Sequence, residues 1–323
     1  MTRGPLRHGD AARTTQRGCD AGTVPEGDVV WRTARQLDRA LAGRVLTRSD
    51  FRVPRFAAAD LTGSAVTAAV SRGKHLLIRT DGGRTVHSHL RMDGSWRIRP
   101  AGGPPPGDHR VRLVLANEAW QAVGYLLAMV QVISSENEDL VVGHLGPDLL
   151  GPDWDSAEAV RRLRRDPARP IGEALLDQRN LAGIGNVYKC EVLFLRGISP
   201  WRPVAAAAGT AGAGSTDGAG STAGAGSTDG LEALVSLARR LLDANKNRTG
   251  HITTGSTRRG EENWVYGRSG RPCRRCGTAI RAAGQGSPDR GTPGQRAAGG
   301  DPRERITFWC PHCQPADPGQ GTG

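Results

Sequence analysis

Four cysteines near the C-terminal end carry the plainest chemistry in the chain. Cys273-Arg274-Arg275-Cys276 and Cys310-Pro311-His312-Cys313 are two CxxC pairs. A two-residue gap lets both thiolates of a tight turn face one ion, and four thiolates complete the tetrahedral shell of Zn²⁺. Such a shell is closed, so the zinc expected here is structural; a catalytic zinc keeps one position open. His312 is the alternative ligand, and the paired spacing favours the cysteines. Paired thiols at metal spacing read as metal binding in a reducing compartment rather than as a disulfide framework. Cys19 and Cys190 stand alone.

A second arrangement lies in Leu176-Asp177-Gln178-Arg179-Asn180-Leu181-Ala182-Gly183-Ile184-Gly185-Asn186-Val187-Tyr188. Gly183 and Gly185 permit a tight turn, and Asn186 begins the following helix. Two readings are open. The N–H groups at that helix start, with the Asn186 side chain as a further donor, form an anion site; or the glycines only let two helices cross closely. Arg268, Arg271, Arg274, Arg275 and Arg305 make the downstream cysteine segment strongly basic, which favours an anion such as a DNA phosphate.

These groups need elements to hold them. The chain has 323 residues, 44 Lys and Arg against 32 Asp and Glu, and a formal net charge of +12. That length accommodates two domains, and that charge favours a polyanionic partner. An anionic membrane is the competing partner, but the longest apolar stretch, around Ala122 to Ile133, is strand-sized and interrupted. Residues 1–23 lack the apolar core of a secretory signal. A cytoplasmic, nucleoid-associated protein is expected, as a monomer.

From Asp28, read as a helix cap, the apolar positions Val30, Trp31, Ala34, Leu37 and Leu41 recur at helical spacing, and Gly43 ends the helix. Strand-like segments follow at Ala65–Val70, Leu76–Thr80, Arg84–His89, Ser95–Arg99, Val111–Leu115 and Trp120–Tyr125, with Asp81-Gly82-Gly83 as a hairpin turn and a loop at Pro100–Gly107. Residues 25–142 therefore read as an antiparallel β-sandwich behind one helix. Helical segments occupy Ala157–Arg164, Ile171–Leu176, Gly185–Phe194 and Leu231–Ala244. Between the last two, residues 205–230 repeat AGAGSTDG and read as a solvated linker. Residues 282–303 read as a second insertion, at the tip of the cysteine hairpin.

Taken in order, several motifs resemble the formamidopyrimidine-DNA glycosylase/endonuclease VIII family. They are Val24-Pro25-Glu26-Gly27-Asp28, Ser71-Arg72-Gly73-Lys74-His75, His89-Leu90-Arg91-Met92-Asp93-Gly94, the Leu176–Tyr188 element and the cysteine pairs. Pro25-Glu26-Gly27-Asp28 and Trp31-Arg32-Thr33-Ala34 are closest to the endonuclease VIII branch. The resemblance implies an α+β fold: a catalytic β-sandwich over 24–142, a helix-two-turn-helix domain over 150–250, a zinc ribbon over 251–315, and a tail at 316–323. It implies a DNA glycosylase with abasic-site lyase activity that acts on double-stranded DNA, with oxidised pyrimidines as the branch's usual substrates.

Site residues follow from the same resemblance. Pro25 is the nucleophile, Glu26 the general acid/base, and Lys74 a contact to the phosphate beside the lesion. Arg91 and Met92 stand where the branch carries its wedge, and Arg305 matches the finger arginine. Asp93 departs from the pattern, since an acid fills a duplex void poorly. Val29 stands where many relatives carry a second glutamate; Asp28, one position earlier, either substitutes for it or only caps the helix, and the cap is the favoured reading. His89 is read as a packed or hydrogen-bonded strand residue. A proline nucleophile needs a free secondary amine, so Val24 is the expected true start, with residues 1–23 a leader outside the active protein. A chain that keeps its leader would be a non-catalytic DNA-binding protein. A third alternative treats the ribbon as a docking module beside a vestigial front domain.

Overall fold

The computed structural model describes residues 24–104, 106–209, 229–285 and 306–316. The leader, the tail after residue 316 and Arg305 lie outside the described residues.

The first helix, α1 (Gly27–Leu41), buries Val30, Ala34, Leu37 and Leu41, the apolar face anticipated from spacing. Eight strands follow: β1 (Arg48–Phe51), β2 (Val66–Arg72), β3 (His75–Thr80), β4 (Arg84–His89), β5 (Ser95–Pro100), β6 (Val111–Ala116), β7 (Trp120–Tyr125) and β8 (Met129–Ser134). They form two four-stranded antiparallel sheets, ordered β1-β6-β7-β5 and β2-β3-β4-β8. Successive strand residues point to opposite faces, so β3 serves two cores. Leu76 and Ile78 pack with α1 inside the sandwich. Leu77 faces outward against Val142, Leu145 and Ala182 and joins the sandwich to the helical half.

The helical half contains α2 (Glu138–Val142), α3 (Ser156–Leu163), α4 (Ile171–Leu176), α5 (Asn186–Leu195), α6 (Val204–Ala208) and α7 (Gly230–Asn245). Helix α5 is buried on every side. Tyr188, Val192 and Leu193 face the helical core, while Cys190 and Phe194 face the ribbon. The ribbon itself is β9 (Arg281–Gly284) paired antiparallel with β10 (Ile306–Trp309). Among the described residues no helix is long and apolar enough to cross a membrane.

The architecture is the α+β one anticipated, with differences in detail. Strands β1 and β8 were not anticipated. The linker assigned to 205–230 is shorter at its start, because Val204 and the alanines after it continue as α6; residues 210–228 lie outside the described residues. The loop assigned to 282–303 likewise loses Ala282–Gly284 to β9. Asp28 is not the cap of α1. Glu26 occupies that position, and Asp28 sits within the first turn, fully buried.

Candidate active site

The N-terminus of α1 is driven into the two-glycine turn between α4 and α5. Gly27 N–H donates to Gly183 O at 2.8 Å. A Cβ on Gly27 would lie 2.9 Å from Gly183 Cα, so backbone approaches backbone here at a distance only glycine allows. This contact carries Glu26 to the start of α5. Its Oε2 accepts from Gly185 N–H at 2.8 Å and Tyr188 N–H at 3.4 Å, and its Oε1 accepts from Val187 N–H at 2.7 Å. Gly185 is required by the same packing, since a Cβ there would stand 2.5 Å from the Glu26 carboxyl carbon.

The anion site anticipated at this helix start therefore exists, but Glu26 occupies it. Unpaired N–H groups and the helix dipole stabilise a carboxylate there as they would a phosphate. Asn186, the further donor anticipated there, is the first residue of α5. Its side chain is buried, and Nδ2 donates to Ile306 O at 2.7 Å, which ties α5 to the ribbon strand β10.

Glu26 is wholly buried, and burial raises its proton affinity above the ordinary carboxylate value. The positive charges of Lys74 and His251 and the Val187 N–H act against that rise, and Asp28 adds to it. Pro25, immediately before it, is also buried.

Lys74 arrives from the β2–β3 turn, as anticipated, and is half-buried. The turn is pinned by Gly73 N–H, which donates to Asp148 Oδ2 at 2.7 Å. Asp148 also forms an isolated bridge with Ala182, so one acidic residue aligns the lysine turn with the glycine turn. Asp148 was not singled out from sequence, because an isolated Asp after Gly146-Pro147 carries no motif.

The β4–β5 turn holds Arg91 in a left-handed conformation, φ 49°, with its N–H donating to His89 Nδ1 at 2.9 Å. Burial pushes His89 down to about 3, with neighbouring positive groups adding to the effect, so it acts here as a neutral acceptor that shapes the turn. Arg91 is exposed and Met92 half-buried. The pairs His89↔Met129 and Ser95↔Tyr125 place the β7–β8 turn alongside. There Leu126, also left-handed at φ 48°, is exposed. Leu126 lies within the apolar run Ala122–Ile133 and gave no separate sequence signal; strand pairing brings its turn to the end of the sandwich that carries the β4–β5 turn.

At the ribbon, the sulfurs of Cys273, Cys276, Cys310 and Cys313 all lie within 4.8 Å of one another. Cys273–Cys313 and Cys276–Cys310 are 3.9 and 3.5 Å apart. Tetrahedral Zn²⁺ with bonds of about 2.3 Å needs sulfurs roughly 3.8 Å apart, so the four fit that ion. The N–H groups of Arg275 and Cys313 reach Cys273 Sγ and Cys310 Sγ at 3.4 Å each, the support expected for thiolate ligands. His312 is exposed and outside the cluster. Glu191 of α5 accepts from the N–H groups of Trp264, Val265 and Tyr266 at 2.8, 2.9 and 2.8 Å, and from the Thr253 hydroxyl. That buried carboxylate fastens the ribbon base to the helix whose start receives Glu26.

Comparison with known proteins agrees with this layout. Residues 24–123 match the model of the formamidopyrimidine-DNA glycosylase N-terminal domain, and residues 145–208 match that of the formamidopyrimidine-DNA glycosylase H2TH domain. The chain is 51% identical to the probable endonuclease 8 2 of Streptomyces coelicolor, over 93% of this chain and 98% of the relative. It is 43% identical to the DNA-(apurinic or apyrimidinic site) lyase Nei2 of Mycolicibacterium smegmatis, over 91% and 100% of the two chains. Among solved structures, MutM in complex with DNA containing carbocyclic 8-oxo-G superposes with a TM-score of 0.68 at 23% identity, covering 90% of this chain and 100% of that one. Lactococcus lactis formamidopyrimidine-DNA glycosylase bound to abasic-site DNA gives 0.66 at 22% identity, again over 90% and 100%. These last two show a shared fold.

Proposed function

Since the chain belongs to the formamidopyrimidine-DNA glycosylase/endonuclease VIII family and is a bifunctional DNA glycosylase and abasic-site lyase of base-excision repair, we propose that Pro25 is its nucleophile and Glu26 its general acid/base. The observation that carries this reading is the seating of Glu26 against the start of α5, directly after Pro25. A carboxyl whose proton affinity is raised by burial is suited to donating and recovering a proton near neutral pH.

The lone pair of the neutral Pro25 amine attacks C1′ of the damaged nucleotide and the glycosidic bond breaks; the departing base takes the electron pair and, in net, the proton released by the Pro25 nitrogen. Glu26 delivers a proton to the sugar ring oxygen as the ring opens, which leaves an iminium between Pro25 and C1′. The iminium acidifies C2′–H; loss of that proton expels the 3′ phosphate, and a second elimination expels the 5′ phosphate. Lys74, in the β2–β3 turn, would hold the phosphate beside the lesion. Arg91 and Met92, with Leu126 from the β7–β8 turn, would fill the space left by the flipped nucleotide. Arg305, which precedes Ile306 in sequence, would grip the phosphates from the ribbon. Cys273, Cys276, Cys310 and Cys313 would hold a structural Zn²⁺ that keeps the ribbon folded. The partner is double-stranded DNA with a damaged base or abasic site, and oxidised pyrimidines are the proposed preference.

This chemistry needs an amine. With Val24 attached, the Pro25 nitrogen is a tertiary amide with no available lone pair, so the active form is proposed to begin at Pro25. The family match, which starts at residue 24, supports that boundary. Borohydride reduction of the protein on abasic DNA tests it. Protein beginning at Pro25 should give a covalent adduct, and protein that retains its leader should give none. No adduct from the Pro25 form would end the proline mechanism.

A further inference from the structure

Beside Glu26 lies a second set of buried ionisable groups that the reaction above does not use. Asp28 of α1, Tyr188 of α5 and His251, from the loop after α7, meet away from solvent. The Tyr188 hydroxyl donates to Asp28 Oδ2 at 2.8 Å, and its ring meets that of His251 edge to face at 5.2 Å. The His251 loop is held by Asn245, which exchanges two 2.9 Å hydrogen bonds with Ile252.

Asp28 Oδ1 and His251 Nε2 are 3.4 Å apart, and neither has a hydrogen-bond partner among the described residues. With a neutral histidine, a bare carboxylate oxygen and an unpaired ring nitrogen would face each other in the interior. A proton on Nε2 compensates both at once. Tyr188 links this pair to the site, because its N–H reaches Glu26 Oε2 while its hydroxyl holds Asp28.

We propose that Asp28 and His251 form an ion pair in the folded enzyme and that His251 is thereby a positioning residue for Glu26, fixing both its place and its proton affinity. The inference rests on the assignment of Glu26 as the acid/base group. The charges that bear on it come from every side. Glu26 and Arg32 lie with Asp28 on α1, Lys74 comes from the β2–β3 turn, Tyr188 and Lys189 come from α5, and His251 comes from its loop. Burial pushes His251 down, but Asp28 and Glu26 together outweigh it and hold the imidazole above its ordinary value, with Arg32 opposing. For Asp28, burial pushes up, and His251 with Tyr188 reverses it. An uncompensated Asp28 would make Glu26 harder to ionise; the His251 charge prevents that.

The test is the pH dependence of base excision by protein beginning at Pro25. Glu26→Gln identifies the limb that belongs to Glu26 by deleting it. In His251→Gln that limb should move to higher pH, with a roughly tenfold change in rate on its flank and the plateau kept. In Asp28→Asn/His251→Gln it should move back. A lowered plateau with an unmoved limb would show a merely structural histidine and overturn the proposal. Should the variants not fold, the imidazole nitrogen resonances of the unaltered protein decide: a cationic ring at pH near 7 is expected, and a neutral one overturns it. If Glu26→Gln deletes no limb, the role of Glu26 fails and the positioning role fails with it, while the nitrogen resonances still report whether the ion pair exists.

Discussion

At the scale of single residues, the site turns on two carboxylates two positions apart that end in different surroundings. Glu26 meets three N–H donors of α5, whereas Asp28 meets a phenol and an imidazole. The first is poised for proton traffic and the second for holding charge. Glu26→Gln keeps an acceptor for the helix start but removes the exchangeable proton. Excision of an intact damaged base should fall by about 10² to 10⁴. Cleavage of a preformed abasic site, which has no glycosidic bond to break, should fall much less. Single-turnover rates on the two substrates make the comparison, and equal losses on both would place Glu26 outside the base-release step.

At the scale of elements, α5 organises the molecule. Its N-terminus receives Glu26, its first residue Asn186 and the mid-helix Cys190 hold the ribbon strand, and Glu191 fastens the segment leading into the ribbon. The ribbon core is small, built on Val265, Ile280 and the cysteines against Phe194. A core of that size would depend on a metal held by those cysteines, in the way other small zinc modules do. Chelation should therefore abolish incision and tight DNA binding. The sandwich and helical cores, each with more than a dozen buried apolar residues of their own, should still melt cooperatively. Calorimetry beside an incision assay checks this, and full activity in metal-free protein would contradict it.

At the scale of the whole molecule, the net charge of +12 sets how the protein meets DNA. If about six phosphates are neutralised, affinity should fall roughly 10³-fold between about 50 and 200 mM salt. Binding titrations over that range measure the slope, and a nearly flat response would mean that phosphate contacts contribute little.

The residues that could do chemistry were legible in the sequence because their signals are local. Two CxxC pairs state a metal shell by spacing alone, Asp81-Gly82-Gly83 states a hairpin, and periods of two and 3.6 residues separate strands from helices. Strand β8 escaped because it continues the apolar run after β7 with no Gly or Pro to mark the turn between them, and β1 because it is only four residues long. With one pairing neighbour and mixed exposure, Arg48–Phe51 shows no clean alternation. Asp28 read as a cap because an acid at a helix start usually is one, and Asn186 read as an anion donor because helix starts usually bind anions. The cap reading of Asp28 failed, and the carboxylate at the start of α5 went unforeseen, for one reason: each partner lay far away in sequence. Glu26 reaches Gly185 across 159 positions, and Asp28 meets a histidine from the loop after α7. The sequence by itself determined which groups are present and which elements carry them. Only tertiary packing decided which carboxylate fills the helix start and which is paired, because that depends on how closely α1, the glycine turn and the His251 loop approach.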